Sequence, residues 1–135
     1  MRRLFALFLC LFALPASADV FPFETPSGNI DCYVGLSRNS SDITCSIWDR
    51  SGPPARPAPA DCRVGWGHTF EMGDRGPVRM RCDPGLRNFS QSSQMPYGRT
   101  EDFGGITCTS ERTGLTCRNR TGHGFFLSRR VQRVY

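Results

Sequence analysis

The chain has 135 residues, a length that suits one domain, with 17 Lys+Arg against 12 Asp+Glu. Every basic residue is arginine, and the formal charge of +5 is too modest to argue for nucleic acid as a partner. No apolar run after the first twenty residues approaches the length needed to span a bilayer, which excludes a transmembrane segment from the mature chain.

The first segment, MRRLFALFLCLFALPASADV, reads as an export signal covering residues 1–18. Arg2 and Arg3 form the positive n-region, Leu4 to Leu14 a short apolar core, and Ala16-Ser17-Ala18 the small residues of a cleavage site. The apolar core follows the arginine pair at once, which favours ordinary secretion over a twin-arginine route. Cys10 is removed with the signal, because Leu9 stands where a lipidation site wants a small residue. Loss of the two arginines lowers the formal charge to about +3, a mild excess that favours anionic surfaces weakly. Six cysteines then remain, Cys32, Cys45, Cys62, Cys82, Cys108 and Cys117, and an even count in an exported chain reads as a disulfide framework.

VFPFETPSGN begins as an aromatic extended stretch and ends in a turn at Pro26-Ser27-Gly28. The next segment reads as a hairpin. Six cysteines allow 15 connectivities, but cross-strand patterning can choose among them, since same-face residues recur every two positions. Opposing Cys32 to Cys45 sets Ile30 against Ile47 and Val34 against Ile43, all apolar. The other face carries Asp31, Tyr33, Asp42, Thr44 and Ser46, and a slip of one residue would turn aspartates inward.

SGPPARPAPA is a proline-rich connector, extended and non-helical. Opposing Cys62 to Cys82 sets Val64 against Met80 and Trp66 against Val78, with Arg63, Arg79 and Arg81 on the other face. The turn then centres on Glu71-Met72-Gly73, and Pro77 implies an edge position or the end of the ladder. DPGLRNFSQSSQMPYGRTEDFGG has no clean period and reads as a long loop with room for a short helical turn. Opposing Cys108 to Cys117 sets Ser110 against Leu115 over a short turn. That is a non-hydrogen-bonded pair, in which the Cα atoms come within about 4.5 Å. Nearest-neighbour pairing is therefore favoured throughout, and each bridge contributes roughly 3 kcal/mol in the chain-entropy model. The tail GHGFFLSRRVQRVY alternates and reads as a closing strand, with a helical last turn as the alternative. GNIDC…DITCSI echoes GGITC…GLTCRN, which two disulfide hairpins obeying the same rules would produce without a duplication.

Several of these stretches together resemble a widespread bacterial exported domain family of unknown function, with members in actinobacteria and proteobacteria. They are F-x-T-P-S-G-N-I-x-C at Phe23–Cys32, the pair Trp66-Gly67, Tyr97-Gly98, G-L-T-C at Gly114–Cys117 and G-H-G-F-F-L-S-R at Gly122–Arg129. The resemblance covers most of the mature chain and carries over no activity, cofactor or catalytic residue.

The chemistry-bearing residues are sparse. Zinc sites want closely spaced cysteines and histidines, whereas these cysteines are scattered and claimed by oxidation, so no metal and no cofactor is expected. His68 and His123 read as structural groups, the glycines around His123 marking a tight turn. No G-x-S-x-G elbow occurs, and Ser128 sits in a regular alternation although it lies near His123 in sequence. Asp31, Asp42, Glu71 and Asp74 supply carboxylates without singling out a pair for glycoside cleavage. Trp48 and Trp66 read as core residues, and the sequons at Asn39, Asn88 and Asn119 mean little in a bacterial host. Two arginine groupings stand out as an anion-binding surface: Arg63, Arg79 and Arg81 on one face, and Arg118, Arg120, Arg129, Arg130 and Arg133 near the end.

The expectation is a mainly β, antiparallel domain over residues 19–135, built from three cystine-linked hairpins and exported to the periplasm or the medium. It acts as a non-catalytic binding module toward an unknown protein or an anionic envelope polymer. An inhibitor of a secreted hydrolase is one subclass, because rigid cystine-tied loops present a preorganised surface. The alternative, from a different class, is a small secreted hydrolase using His123 or His68.

Overall fold

The structure is a computed structural model in which residues 19–85 and 93–135 are described. The export signal expected at 1–18, the Asn88 sequon and the middle of the long connecting segment lie outside the described residues. The strands are β1 (Asp19–Glu24), β2 (Ile30–Leu36), β3 (Ser41–Ile47), β4 (Thr69–Gly73), β5 (Arg79–Arg81) and β6 (Ser93–Gln94), then β7 (Thr100–Phe103), β8 (Ile106–Glu111), β9 (Gly114–Arg118), β10 (Gly124–Leu127) and β11 (Gln132–Val134). No helix occurs among the described residues. The first sheet runs β5-β4-β3-β2-β1-β6 and the second β11-β10-β9-β8-β7, antiparallel except where β6 joins β1. Their inner faces share one core, in which Val34, Ile43, Ile47 and Phe70 of the first sheet meet Ile106, Leu115, Phe125 and Leu127 of the second.

The hairpin registers follow from where the apolar residues fall. Cys32 opposes Cys45, Ile30 opposes Ile47 and Val34 opposes Ile43, so burying one face buries all six. Cys108 opposes Cys117 in the same manner. Both disulfides join directly opposed residues of neighbouring strands at a Cα separation of 4.1 Å and lie in the core.

The Cys62–Cys82 bridge is also formed, at a Cα separation of 5.6 Å, but it does not tie two opposed strand residues. The hairpin pairs Thr69 with Arg81, Phe70 with Met80 and Glu71 with Arg79, so the register with Val64 against Met80 and Trp66 against Val78 is overturned. Positive φ at Gly65 (85°) and Gly67 (82°) breaks any extended run through residues 62–67. The buried period is carried instead by Phe70 and Met72, the second of which the Cys62–Cys82 register sets at the centre of its turn. Pro77 lies just before the edge strand β5, where its missing N–H costs no ladder bond.

Two further expectations need correction. The long loop contains β6 and β7, and β7 pairs with β8 from Thr100↔Thr109 to Phe103↔Ile106. The tail is a hairpin: Ser128 N–H donates to the Val131 carbonyl (2.9 Å), and Val131 N–H donates to Ser128 Oγ (3.0 Å), reversing the chain between β10 and β11.

The faint internal echo has a full structural counterpart. The order β1-β2-β3-β4-β5 is repeated by β7-β8-β9-β10-β11. One cross-strand row reads Cys32, Cys45, Phe70, Met80 in the first sheet and Cys108, Cys117, Phe125, Val134 in the second. Two residues after the second cysteine, Ile47 N–H donates to the His68 carbonyl (2.8 Å) and Asn119 N–H donates to the His123 carbonyl (2.9 Å). Each histidine follows a positive-φ glycine, Gly67 at 82° and Gly122 at 80°, and precedes its buried phenylalanine by two residues. Two hairpins obeying the same disulfide rules would not also share this turn, so the chain is a tandem repeat of one five-stranded meander. The connector over residues 48–66, with the Cys62–Cys82 bridge at its end, is the insertion that separates β3 from β4 in the first copy.

Candidate anion-binding face

The two arginine groupings separate once folded. Arg79 and Arg81 on β5 both clamp Glu71, at 3.2 and 3.1 Å, and Arg63 projects from the loop beyond the Cys62–Cys82 bridge. Arg120 pairs with Asp74 (3.6 Å) across the junction of the two sheets. Arg129 and Arg130 lie in the β10–β11 turn, Arg129 reaching Asp49 at 3.9 Å. Arg118 and Arg133 remain together on the outer face of the second sheet.

That face is built by alternation. Cys117, Phe125 and Leu127 point to the core, so Thr116, Arg118 and Phe126 point away from it. One outer row reads Thr100, Thr109, Thr116, Phe126, Arg133. The next reads Asp102, Thr107, Arg118, Gly124, and Tyr135 closes it through paired backbone bonds with Gly124 at 2.8 and 3.0 Å. The Arg133 guanidinium lies over the Phe126 ring, 5.4 Å from its centroid, and the Arg118 guanidinium lies over Tyr135 at 4.4 Å. Gly124 permits the second contact, because a Cβ there would stand 3.0 Å from the Tyr135 ring and 2.2 Å from the Cys117 carbonyl. Thr100 and Thr109 hydroxyls are 2.9 Å apart, and Thr107 Oγ1 donates to Asp102 (2.6 Å).

The internal repeat supplies its own control. The row equivalent to Thr116, Phe126, Arg133 is Thr44, Glu71, Arg79 in the first sheet. There the central residue is a carboxylate that neutralises its arginine neighbours; in the second sheet it is a phenylalanine that holds one in place. Among the described residues no carboxylate lies within salt-bridge distance of Arg118 or Arg133. A cation–π contact at an exposed site is worth about 0.5–1 kcal/mol, enough to orient a guanidinium while leaving its N–H edge available. That edge matches carboxylate and phosphate oxygens in a bidentate manner.

Both histidines serve their turns. His68 Nδ1 lies 2.7 Å from the Ile47 carbonyl, so it carries the proton and donates. Thr121 Oγ1 donates to Asn119 Oδ1 (3.0 Å) and accepts from Gly76 N–H (2.9 Å), so His123 Nδ1–H is the donor in its 2.8 Å contact with that hydroxyl. Ser128 and His123 flank opposite ends of β10, roughly 15 Å apart along an extended chain, and Ser128 is engaged with Val131. Of the carboxylates, Glu71 and Asp74 are ion-paired, and Asp31 accepts from the Trp48 indole (3.1 Å). Among the described residues no group of three or more His, Cys, Asp or Glu is placed to hold a metal ion. Neither tryptophan belongs to the core: both are half-buried, and Trp66 donates its indole N–H to the Arg56 carbonyl (2.8 Å), since that donor needs a partner once partly covered.

Asn119, which the sequence shows only as a sequon, has a structural role that its spacing does not reveal. Its amide donates to the Gly73 carbonyl (3.0 Å) and the Gly76 carbonyl (2.7 Å) of the β4–β5 turn. Its oxygen accepts from Thr121 N–H, Thr121 Oγ1 and His123 N–H. It thereby locks a turn of one sheet to a turn of the other, and a buried sequon asparagine so engaged is not a free glycosylation acceptor in the folded protein.

The fold and this face define a disulfide-bonded, all-β protein of two repeated meanders that carries an arginine-on-aromatic surface on one sheet. The chain belongs to a family described as a family of unknown function (DUF6636), whose model matches residues 3–135. No curated protein and no solved structure matches it.

Proposed function

We propose that the protein is an exported, non-catalytic binding module that holds an anionic polymer of the cell envelope against the outer face of its second sheet. The observation that carries this reading is the pair Arg118 and Arg133, oriented by Tyr135 and Phe126 and left without a carboxylate, where the equivalent row of the first sheet is closed by Glu71. The neighbouring threonine hydroxyls suit hydrogen bonding to sugar hydroxyls along such a polymer. Export is supported by three disulfides, which persist in oxidising compartments, and by the character of the first eighteen residues. Among the described residues, no helix is long and apolar enough to cross a membrane.

The test is retention of the oxidised protein on immobilised alginate, polyphosphate and neutral dextran. Retention on at least one polyanion and none on dextran is expected. Arg118→Ala/Arg133→Ala should weaken it about tenfold or more, the scale of losing a hydrogen bond to a charged group. Arg79→Ala/Arg81→Ala should match the parent. Equal behaviour of the two double variants would reject the assignment to this face.

A further inference from the structure

A second, separate site lies at the end of the molecule where three turns meet. The β1–β2 turn, the β8–β9 turn and the β10–β11 turn, together with Tyr97, enclose a cleft of about 270 Å³. Four of the five motifs that carry the family resemblance contribute to it: Thr25, Ser27 and Asn29 from the first, Tyr97 from the third, Gly114 from the fourth, and Ser128 and Arg129 from the last.

Most polar groups in the walls are already committed to the turns. Thr25 Oγ1 accepts from Ile30 N–H (3.3 Å), and Ser27 Oγ accepts from Asn29 N–H (3.3 Å). The Asn29 side chain is bound at both ends to the Asp49 backbone, at 3.0 and 2.7 Å. The Ser128 hydroxyl is bound to Val131. Tyr97 is held by the bond from Gly98 N–H to the Ser110 carbonyl (2.7 Å). The serine and threonine hydroxyls and the Asn29 amide of the walls are therefore engaged in holding the turns.

The lining also holds one carboxylate, Glu111, which accepts from Thr113 Oγ1 (3.3 Å), whereas two cationic groups there are not so committed. Arg112, in the β8–β9 turn, lies over the Tyr97 ring at 5.1 Å and has no carboxylate within salt-bridge distance among the described residues. Arg129 contacts Asp49 at 3.9 Å with both side chains more than 60% exposed, a distance and exposure at which water screens most of the attraction. The cleft is smaller than the 300–1,000 Å³ typical of drug-sized ligands, so it takes one small unit rather than a length of chain.

We propose that this cleft binds a single compact anion, one carboxylate or phosphate on a small polar body such as a sugar, between Arg112 and Arg129. The guanidinium pair supplies the charge, the Tyr97 ring the apolar wall, and the capped turns a shape that needs no reorganisation on binding. The site does not rest on the polymer-binding face, since it shares no residue with the outer rows of the second sheet.

Titration calorimetry of the oxidised protein with glucuronate, glucose 6-phosphate and glucose tests it. Saturable one-site binding of at least one acid is expected, with glucose inert; the two acids tell a carboxylate source from a phosphate source. Arg112→Gln and Arg129→Gln should each weaken that binding about tenfold, while Arg118→Ala/Arg133→Ala leaves it unchanged. All three variants change exposed side chains, and an unaltered thermal melt confirms that each is folded. No saturable binding of either acid, equal binding of glucose, full affinity in the Gln variants, or loss only in the outer-face variant would each overturn the proposal.

Discussion

Phe70 and Phe125 occupy the same position in the two repeats, each beside the second cysteine of its hairpin, and their rings meet in the core with centroids 5.8 Å apart. The contact makes the two meanders one folding unit: each sheet inserts its largest buried side chain beside that of the other. A second cross-sheet pair, Phe23 on β1 and Phe103 on the edge strand β7, stacks with ring centroids 5.5 Å apart.

Truncating either central ring should therefore damage the whole molecule. Phe70→Ala and Phe125→Ala are each expected to cost about 3–5 kcal/mol in urea unfolding of the oxidised protein. The double variant should be less destabilised than the sum of the two by about 0.5–1.5 kcal/mol, the coupling of an aromatic pair. Strict additivity would show that the rings do not interact.

Asn119→Ala should lower the unfolding midpoint by an amount equivalent to about 2 kcal/mol or more, because it strands hydrogen-bond groups in two turns at once. Asn119→Asp tests the direction of those bonds. Its carboxylate keeps the acceptor facing Thr121 and His123 but turns an oxygen toward the Gly73 and Gly76 carbonyls. It should be at least as destabilised as the alanine variant, and an aspartate variant near parent stability would show that the amide does not bridge the sheets.

The three disulfides should differ in accessibility. Cys32, Cys45, Cys108 and Cys117 are buried, whereas Cys82 is exposed and Cys62 half-buried. Limited reduction followed by alkylation and peptide mass analysis should label Cys62 and Cys82 first, with the other four appearing only as the protein unfolds. Early labelling of Cys32 or Cys117 would contradict the placement of their bridges in the core.

The first hairpin is legible in the sequence because one face is wholly buried, so cysteines and apolar residues keep step along both strands; the third is legible from its short turn and opposed cysteines, since Ser110 and Asn119 interrupt the apolar run on its buried face. The second misleads because its disulfide joins a loop to the end of a strand, and a cross-strand argument presumes that both cysteines sit in strands. Its true signal is the short alternation Phe70, Met72, which runs into the turn that the cysteine register centres on Met72. β7 is nearly silent, since an edge strand with Thr100, Glu101 and Asp102 takes its register from β8 rather than from a pattern of its own. The tail hairpin hides because Ser128-Arg129-Arg130-Val131 continues the alternation through a turn closed by a serine hydroxyl, with neither glycine nor proline to mark it. An arginine-rich end is visible from the sequence. Which arginines stay unpaired is not, because Asp74 reaches Arg120 from the other sheet and Glu71 reaches Arg79 across a register that spacing does not reveal.

The most direct test of the polymer-binding face is the arginine side-chain Nε–Hε spectrum of the oxidised protein, recorded as alginate or polyphosphate is added. The resonances of Arg118 and Arg133 should shift and saturate together, ahead of those of Arg79 and Arg81, which remain held by Glu71. Uniform movement of all exposed arginines, or movement of Arg79 and Arg81 first, would contradict the account.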